Sequence, residues 1–464
     1  MNDLPRIGLL GIMQELYDDM IPGITEHQAQ YARSVAQRLS DVATITFTRP
    51  ARNQEDIETI AAELETAGVD GVMIVMLTYG PAMRTIRALT GLRVPLMLAN
   101  IQPERAVTPE WNMDTLTYNQ GIHGAQDQAN ALVRADVPFS VITGEWQSDR
   151  FAEAFADWAQ AAKAVTALRR SRLALLGYPM NGMGDIRYDP EAMVRRFGVT
   201  VVNEDLGILY ERLRAVSDGA VETIVAEHED RFEIDPALPT ERHQYAARFE
   251  AALRLMLEDG GYAGFSFHFD SIGGDGRFEQ LPLLAASDLM AEGFAYAAEG
   301  DTNTATLMAA AQVLIGDAHF SEMYAMDWDL DSVLISHMGE GNWKIARPDR
   351  PVRLIDRPLG IGSLDNPPTP VFSAVPGPAT TAALIPIEGE YYRLLVGRGE
   401  VLDTPELPHV QMHYFHFRPE RGMQAFMDEW LQFAGPHHFV TNLGEHAGRW
   451  RRFAELLEID YEEI

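Results

Sequence analysis

The chain has 464 residues, and at roughly 150 residues per domain this length predicts about two to four domains. Hydrophobic residues make up 46% of the sequence and charged residues 23%, as in ordinary globular proteins, which excludes a mainly disordered chain. The formal net charge of −31 opposes binding to a nucleic-acid backbone. Cysteine is absent, so disulfides, thiolate metal sites and a cysteine nucleophile are excluded.

The N-terminal segment has an acidic residue before a short apolar run and no small-residue cleavage site, so we expect no signal peptide. The longest apolar runs, such as Gly71–Leu77, have the length of a strand and fall far short of the roughly 18 residues of a membrane span. Together with the acidic composition, these features predict a cytoplasmic protein that binds neither membranes nor nucleic acid.

Apolar runs and helical patterns alternate in the first third of the chain. The runs predict strands at Arg6–Ile12, Val42–Thr48, Gly71–Leu77, Val94–Ile101 and Pro138–Thr143. The segments between them predict helices at Glu26–Leu39, Gln54–Ala67, Pro81–Leu89, Gln120–Ala135 and Arg150–Leu168. Such alternation is typical of a parallel sheet that helices cover on both faces.

A second α/β stretch follows, up to about Gly316. It contains predicted strands at Leu173–Gly177, Val199–Asn203 and Gly264–Phe269, and predicted helices at Leu281–Ala297 and Thr304–Ile315. We therefore expect a second parallel sheet in this part of the chain.

Beyond Gly316 strand-like segments dominate and prolines cluster. The predicted strands are His319–Met326, Asp331–Met338, Val352–Ile355, Thr369–Val375, Ala382–Ile387, Tyr391–Val396 and Gln411–Phe417, and helices are predicted at Met423–Ala434 and Gly448–Leu457. The whole chain thus predicts an α/β protein with two parallel-sheet, Rossmann-like domains (residues 1–171 and 172–316) and a C-terminal antiparallel β-rich domain with helices (residues 317–464).

The sequence has no P-loop, no HExxH pair and no GxSxG elbow, and its glycines do not have the spacing of a dinucleotide-binding loop. Carboxylates and imidazoles remain at the ends of apolar segments. Glu299 ends a predicted apolar helix, Glu322 lies in a strand-like run, His337 follows a strand, and His437-His438 follow an amphipathic helix.

Each of these residues, taken alone, is more typical of a solvated or hydrogen-bonded position than of a ligand. As a set, two carboxylates and two neutral imidazoles balance the charge of a divalent cation, and mixed oxygen and nitrogen ligands suit Mn²⁺, Co²⁺ or Mg²⁺. The spacing along the chain leaves open whether these side chains converge.

Short motifs in these and other segments follow one another in a specific order. They are Gln14–Tyr17, Asn119–Gly124, Thr143–Gln147, Phe294–Asp301, Phe320–Glu322, Val333–Met338 and Gly435–His438. Through these motifs and their order, the chain resembles the L-arabinose isomerase family, within the broader arabinose/fucose isomerase fold.

The resemblance implies a divalent metal, Mn²⁺ first and Co²⁺ or Mg²⁺ as alternatives, with four ligands: Glu299, Glu322, His337 and His438. It also implies that Glu299 and Glu322 carry out the proton transfers. Further residues are implied in substrate binding: Gln14, Leu16, Tyr17, Gln120, His123, Met180 and Phe269.

The implied reaction interconverts L-arabinose and L-ribulose, with D-galactose and D-tagatose as a second pair, through an enediol or a hydride shift. The implied partner is a small neutral sugar. The resemblance also implies a homotrimer or homohexamer, in which the N-terminal domain of one subunit completes the active site of the next.

The chain departs from the family pattern near the implied pocket. Glu15, Thr302-Asn303 and Gly339–Trp343 stand where the family has other residues. Two alternatives therefore stay open: an isomerase of the same fold that acts on another aldose, such as a methylpentose or a hexose, and a non-catalytic sugar-binding protein. The presence of all four implied ligands favours an enzyme.

Overall fold

The computed structural model describes residues 3–464, which form two compact units. Unit 1 runs to Ala167 and includes Glu455–Leu457, and unit 2 comprises Leu168–Ala454 and Glu458–Ile464. The predicted boundaries of three domains stay a prediction. Among the described residues, no helix is both long enough and apolar enough to cross a membrane.

Unit 1 is built on a five-stranded parallel sheet in the strand order β2-β1-β3-β4-β5. Its strands are β1 (Arg6–Ile12), β2 (Thr44–Thr46), β3 (Gly71–Met76), β4 (Leu96–Asn100) and β5 (Ser140–Thr143). Its helices are α1 (Leu16–Met20), α2 (Ile24–Arg38), α3 (Gln54–Thr66), α4 (Ile86–Leu89), α5 (Met113–Tyr118), α6 (Gly121–Arg134) and α7 (Asp149–Leu168). All residues of β3 are buried, as expected for a central strand covered on both faces.

Unit 2 begins with a second parallel sheet, in the strand order β10-β9-β6-β7. The strands of this region are β6 (Arg172–Leu176), β7 (Thr200–Glu204), β8 (Glu233–Ile234), β9 (Gly264–Phe267) and β10 (Ala295–Ala298). The helices are α8 (Pro190–Phe197), α9 (Leu206–Ala215), α10 (Asp218–Arg231), α11 (Thr240–Gly260), α12 (Phe269–Asp275), α13 (Leu283–Glu292) and α14 (Thr302–Leu314).

The remaining strands are β11 (His319–Asp327), β12 (Ser332–Ser336), β13 (Arg353–Asp356), β14 (Pro368–Val371), β15 (Gly377–Glu388), β16 (Tyr391–Val401), β17 (Tyr414–Pro419), β18 (Phe439–Leu443) and β19 (Asp460–Glu463), with helices α15 (Met423–Gln432) and α16 (Ala447–Leu457). Six strands follow the antiparallel order β15-β18-β11-β12-β17-β16, and β16 pairs back with β15, which closes a barrel. The predicted fold class is therefore confirmed.

The barrel has its own apolar core, and β13 and β14 lie outside it. Phe415, Phe417 and Leu395 are fully buried there and pack with Phe426 of α15. β13 and β14 form a separate three-stranded sheet with β8. Closure of the barrel leaves no free edge among its six strands, which holds the side chains on them in fixed register.

The helix predicted at Leu281–Ala297 is wrong in its C-terminal part. Helix α13 ends at Glu292, Gly293 takes a left-handed conformation (φ 103°), and the next apolar run forms β10. Glu299 therefore follows a buried strand and does not end an apolar helix. A short apolar run has the same appearance in a buried strand and in a buried helix, so periodicity does not separate the two.

Candidate active site

Three of the predicted metal ligands come from neighbouring strands of the barrel. Glu322 lies on β11 and pairs in register with Ser336 of β12. His337 follows β12 directly, and His438 directly precedes β18, which pairs with β11 on its other side. The fourth predicted ligand, Glu299, follows β10 of the adjacent parallel sheet.

The structure brings these four side chains together. The His438 Nε2 atom lies 3.4 Å from Glu322 Oε1 and 3.7 Å from Glu299 Oε2, and His337 Nε2 lies 4.0 Å from Glu322 Oε2. His437 joins them, since its Nε2 atom lies 3.6 Å from Glu299 Oε2 and 3.9 Å from Glu322 Oε1. The donor atoms form two sets that each lie within 4.8 Å: Glu322, His337 and His438, and Glu299, His437 and His438.

A carboxylate holds the second ring nitrogen of each imidazole. The Nδ1 atom of His337 lies 2.7 Å from Glu340 Oε2, that of His438 lies 3.0 Å from Asp301 Oδ2, and that of His437 lies 2.5 Å from Asp185 Oδ2. Each Nε2 atom is thereby directed towards Glu299 or Glu322. This arrangement is typical of metal-binding histidines.

Glu340 and Asp185 were not predicted from the sequence as partners of the imidazoles. Glu340 is buried, and it also accepts a hydrogen bond of 2.6 Å from the hydroxyl of Tyr296. Its position three residues after His337 is the only signal of its role in the sequence. Asp185 is 252 residues away from His437 along the chain, so nothing local indicates their contact.

The donor atoms fit a cation. Glu299 Oε2, His437 Nε2 and His438 Nε2 are buried and have no hydrogen-bond partner within residues 3–464. Such unpaired buried atoms are rare in folded proteins and call for an explanation. Carboxylate oxygen and imidazole nitrogen are ligands for divalent transition-metal ions, so these groups could hold one.

The electrostatics of the site keep Glu322 ionised. Burial raises the pKa of Glu322, but its contact with His438 and the charges of His337 and His438 outweigh burial and lower the pKa to about 2. Burial lowers the pKa of His437, but the hydrogen bond to Asp185 and the nearby carboxylates of Glu299 and Glu322 raise it to about 10. A cation that binds here therefore has to displace protons from imidazole nitrogens.

The backbone at Glu299 is strained. Glu299 has a φ of 61° and Gly300 a φ of 79°. Both angles lie in the left-handed region, which residues other than glycine rarely adopt. The Glu299 carbonyl accepts a hydrogen bond of 2.9 Å from the backbone N–H of Met180. The predicted substrate residue Met180 therefore lies beside the backbone of Glu299.

The other predicted substrate residues fall into two groups. Phe269 is the first residue of α12, is half-buried and stacks on His268 in unit 2. The remainder belong to unit 1, where they follow β1 or open α6: Gln14, Leu16, Tyr17, Gln120 and His123. His123 is exposed and lies 6.0 Å from Tyr79 between ring centroids. The carboxyl ends of parallel strands, where Gln14 lies, are the usual place for ligands in α/β sheets.

Three family models match most of the chain. The model of the L-arabinose isomerase N-terminal domain matches residues 7–170, that of the central domain residues 189–317, and that of the C-terminal domain residues 317–460.

Individual proteins match over most of their length as well. An L-arabinose isomerase from Nocardioides sp. is 32% identical over 462 residues, which covers 96% of this chain and 90% of that protein. L-arabinose isomerases from Klebsiella pneumoniae and Escherichia fergusonii are each 31% identical over 405 residues, which covers 84% of this chain and 80% of each relative.

Proposed function

The chain belongs to the L-arabinose isomerase family, and we propose that it is a metal-dependent aldose–ketose isomerase that converts L-arabinose to L-ribulose. The observation that carries this proposal is the convergence of Glu299, Glu322, His337 and His438. Among them, Glu299 Oε2 and His438 Nε2 are buried and have no hydrogen-bond partner within residues 3–464. Imidazoles and carboxylates in this arrangement supply both the ligands and the proton carriers that such an isomerisation needs.

The proposed cation is Mn²⁺, with Co²⁺ or Mg²⁺ as alternatives, and its proposed ligands are Glu299, Glu322, His337 and His438. When bound, a divalent cation would polarise the sugar carbonyl and stabilise negative charge on the neighbouring oxygen. One of the two glutamates removes the proton from C2 and then delivers a proton to C1, and the other transfers a proton from O2 to O1. The low pKa of Glu322, about 2, keeps that side chain ionised, which is the form in which a carboxylate binds a cation.

A direct hydride shift from C2 to C1 is the competing path. L-arabinose deuterated at C2 distinguishes the two paths, because a glutamate that accepts the C2 proton exchanges it with water. Loss of deuterium from the L-ribulose formed early in the reaction supports the enediol, and full retention of deuterium at C1 supports the hydride shift.

We propose a free, neutral aldose as the substrate. The net charge of −31 repels sugar phosphates. L-arabinose is the first candidate, and D-galactose, which would give D-tagatose, is the second. Glu15 and Thr302-Asn303 differ from the family pattern, so a methylpentose or another hexose belongs in the same test.

We propose that the chain works as a homotrimer or homohexamer in the cytoplasm, with the unit 1 substrate residues of one copy serving the unit 2 site of another. The division of the predicted residues between the units supports this assembly, since the predicted ligands lie in unit 2 and most predicted substrate residues lie in unit 1. Each unit also exposes large apolar side chains. Leu16 of unit 1 is 54% exposed and lies between the predicted substrate residues Gln14 and Tyr17. Trp328, in the turn between β11 and β12, is 66% exposed.

A panel of free aldoses and their phosphates tests the proposed activity. Each sugar is assayed with Mn²⁺, after chelation, and after Mn²⁺ is restored. We expect L-arabinose to have the highest kcat/KM and chelation to abolish turnover reversibly. Faster conversion of a pentose phosphate than of every free aldose would refute the neutral substrate. Sugar binding without turnover at any metal concentration would favour the non-catalytic alternative.

A further inference from the structure

The segment Gly339–Trp343, here called the 339–343 loop, is attached to two consecutive residues of α13. The backbone N–H of Gly341 donates a hydrogen bond of 3.1 Å to Ser287 Oγ, and the indole N–H of Trp343 donates one of 2.8 Å to Asp288 Oδ1. The loop contains Glu340, which holds the Nδ1 atom of His337. A connected path of contacts thus leads from α13 to a proposed metal ligand.

Asp288 is itself fixed by a buried ionic cluster. Arg231 Nη1 lies 2.7 Å from Asp288 Oδ1, and His228 Nε2 lies 3.1 Å from Asp288 Oδ2 and 3.0 Å from Glu250 Oε2. His228, Glu250 and Asp288 are almost fully buried. The guanidinium of Arg231 also lies over the ring of Trp343, 4.5 Å from its centroid. Asp288 and Arg231 therefore hold the indole by its N–H and by its face.

Basic side chains pair with both carboxylates of this cluster without a metal ion, although the donor atoms of His228, Glu250 and Asp288 lie within 4.8 Å of one another. Arg231 binds Asp288, and Arg254 binds Glu250 at 2.7 Å. Burial lowers the pKa of His228, but the hydrogen bonds to Asp288 and Glu250 raise it to about 9, so a proton occupies the position between the carboxylates. The cluster is therefore a rigid anchor for Asp288.

The other side of the 339–343 loop is packed against the barrel. The backbone N–H of Asn342 donates a hydrogen bond of 3.1 Å to His319 Nδ1, and its side-chain amide donates one of 3.0 Å to the carbonyl of Ala318. A Cβ atom on Gly341 would lie 2.5 Å from His413 Nδ1. Because the loop is confined on both sides, a displacement of Trp343 has to be transmitted along it to Glu340.

We propose that Asp288 and Trp343 are positioning residues for the proposed isomerase: they hold the 339–343 loop so that Glu340 directs the His337 Nε2 atom towards Glu322. This inference rests on the proposed function. It assigns a role to part of the segment that departs from the family pattern.

The substitution Trp343→Phe tests the inference. It keeps an aromatic ring against Phe232 and removes the indole N–H that donates to Asp288 Oδ1. We expect Mn²⁺ binding, measured by calorimetry, to weaken about tenfold, as is typical when a group behind a metal ligand is lost. Hydrogen exchange of residues 337–345 in the metal-free protein should become faster. Ser287→Ala, which removes the acceptor for Gly341, should change both readouts in the same direction.

Trp158→Phe is the matched control. Trp158 is fully buried in unit 1, and its indole N–H has no hydrogen-bond partner in the part of the chain that the structure describes. This control should leave Mn²⁺ affinity within twofold of wild type. An unchanged Mn²⁺ affinity in Trp343→Phe, or unchanged exchange of residues 337–345, would overturn the positioning role. A wild-type protein that binds none of Mn²⁺, Co²⁺ and Mg²⁺ would instead refute the proposed function, and the exchange comparison would still decide whether Asp288 anchors the loop.

Discussion

At the scale of single residues, Glu299 combines a proposed chemical role with an unfavourable backbone conformation. Its Oε2 atom is buried and unpaired within residues 3–464, and its φ of 61° is rare outside glycine. Strain of this kind costs about 1–3 kcal/mol and persists where the surroundings impose it, commonly at functional sites. Met180 and Asp301 supply such surroundings, since Met180 bonds the Glu299 carbonyl and Asp301 caps α14 and holds His438.

The first prediction concerns the carboxylate of Glu299. Glu299→Gln keeps the size of the side chain but removes the negative charge and the ability to accept a proton. We expect kcat for L-arabinose to fall by about 10³-fold or more, since a general acid–base group contributes about 10²–10⁴-fold. Circular dichroism should show an unchanged fold. The exposed Glu388 provides the control, because Glu388→Gln should keep wild-type activity. A Glu299→Gln enzyme of near wild-type activity would refute the catalytic role.

The second prediction concerns Gly300. A Cβ atom there would lie 2.5 Å from the carbonyl oxygen of Tyr178, and the φ of 79° is unfavourable for alanine. Gly300→Ala therefore has to displace Glu299, and we expect activity to fall by about 10²-fold, as a misplacement of about 1 Å commonly causes. Gly293→Ala is the control that separates backbone strain from displacement of neighbouring atoms. Gly293 has a φ of 103°, but a Cβ atom there would meet no described atom within 4 Å. That control should lower thermal stability and keep kcat.

Site residues that belong to short local motifs could be found from the sequence. Contacts between residues far apart along the chain could not. Glu322, His337 and His438 belong to short motifs, and the pairing of β11 with β12 and with β18 in the barrel places them together. Their role as metal ligands stays a prediction. The contact between Asp185 and His437 joins residues far apart along the chain, and no periodicity or spacing indicates such a pair. The partners that orient imidazoles therefore emerge only from the three-dimensional structure.

At the scale of elements, the first sheet was predicted well, and parts of the second α/β stretch were not. The strands of the first sheet follow the predicted apolar runs. Helices α9, α10 and α11 were not predicted, although Asp205 and Ser217 cap the first two of them and gave a usable signal. Strand β10 was assigned to a helix, because its four residues are all buried and carry no alternation of polar and apolar residues.

The third prediction concerns the cluster that joins α10, α11 and α13. The folded-state pKa of His228, about 9, lies above its ordinary value of 6.5. His228 therefore stabilises the fold fully below about pH 6.5, and this contribution, about 3 kcal/mol, is lost as the pH rises through 9. Thermal unfolding should be measured from pH 6 to pH 10. The difference in melting temperature between wild type and His228→Gln should be large at pH 6 and small at pH 10.

The exposed His409 provides the control for this pH dependence. His409→Gln should follow the wild-type melting temperature at every pH, because its side chain faces solvent. If the difference in melting temperature between wild type and His228→Gln is the same at pH 6 and pH 10, His228 is not charged in the folded state and contributes only by packing.

At the scale of the whole molecule, the predicted ligands and most predicted sugar-binding residues belong to different units. Glu299, Glu322, His337 and His438 are in unit 2, and Gln14, Leu16, Tyr17, Gln120 and His123 are in unit 1. Assembly across subunits would give this division a function, because a pocket formed at a subunit interface excludes water and orients the distal hydroxyls of the sugar. Catalysis would then depend on oligomerisation.

The fourth prediction tests this dependence by complementation. His123→Ala disables the proposed sugar-binding segment of unit 1, and Glu322→Ala disables the proposed metal site of unit 2, so each variant alone should be inactive. In a mixed oligomer, some interfaces pair an intact segment with an intact metal site, and co-expression of two differently tagged variants should restore a fraction of wild-type activity. Glu322→Ala mixed with Glu299→Gln is the control, since both changes disable the same unit and no pairing restores it. Verified mixed oligomers that stay as inactive as each parent, or a fully active wild-type monomer, would refute the shared site.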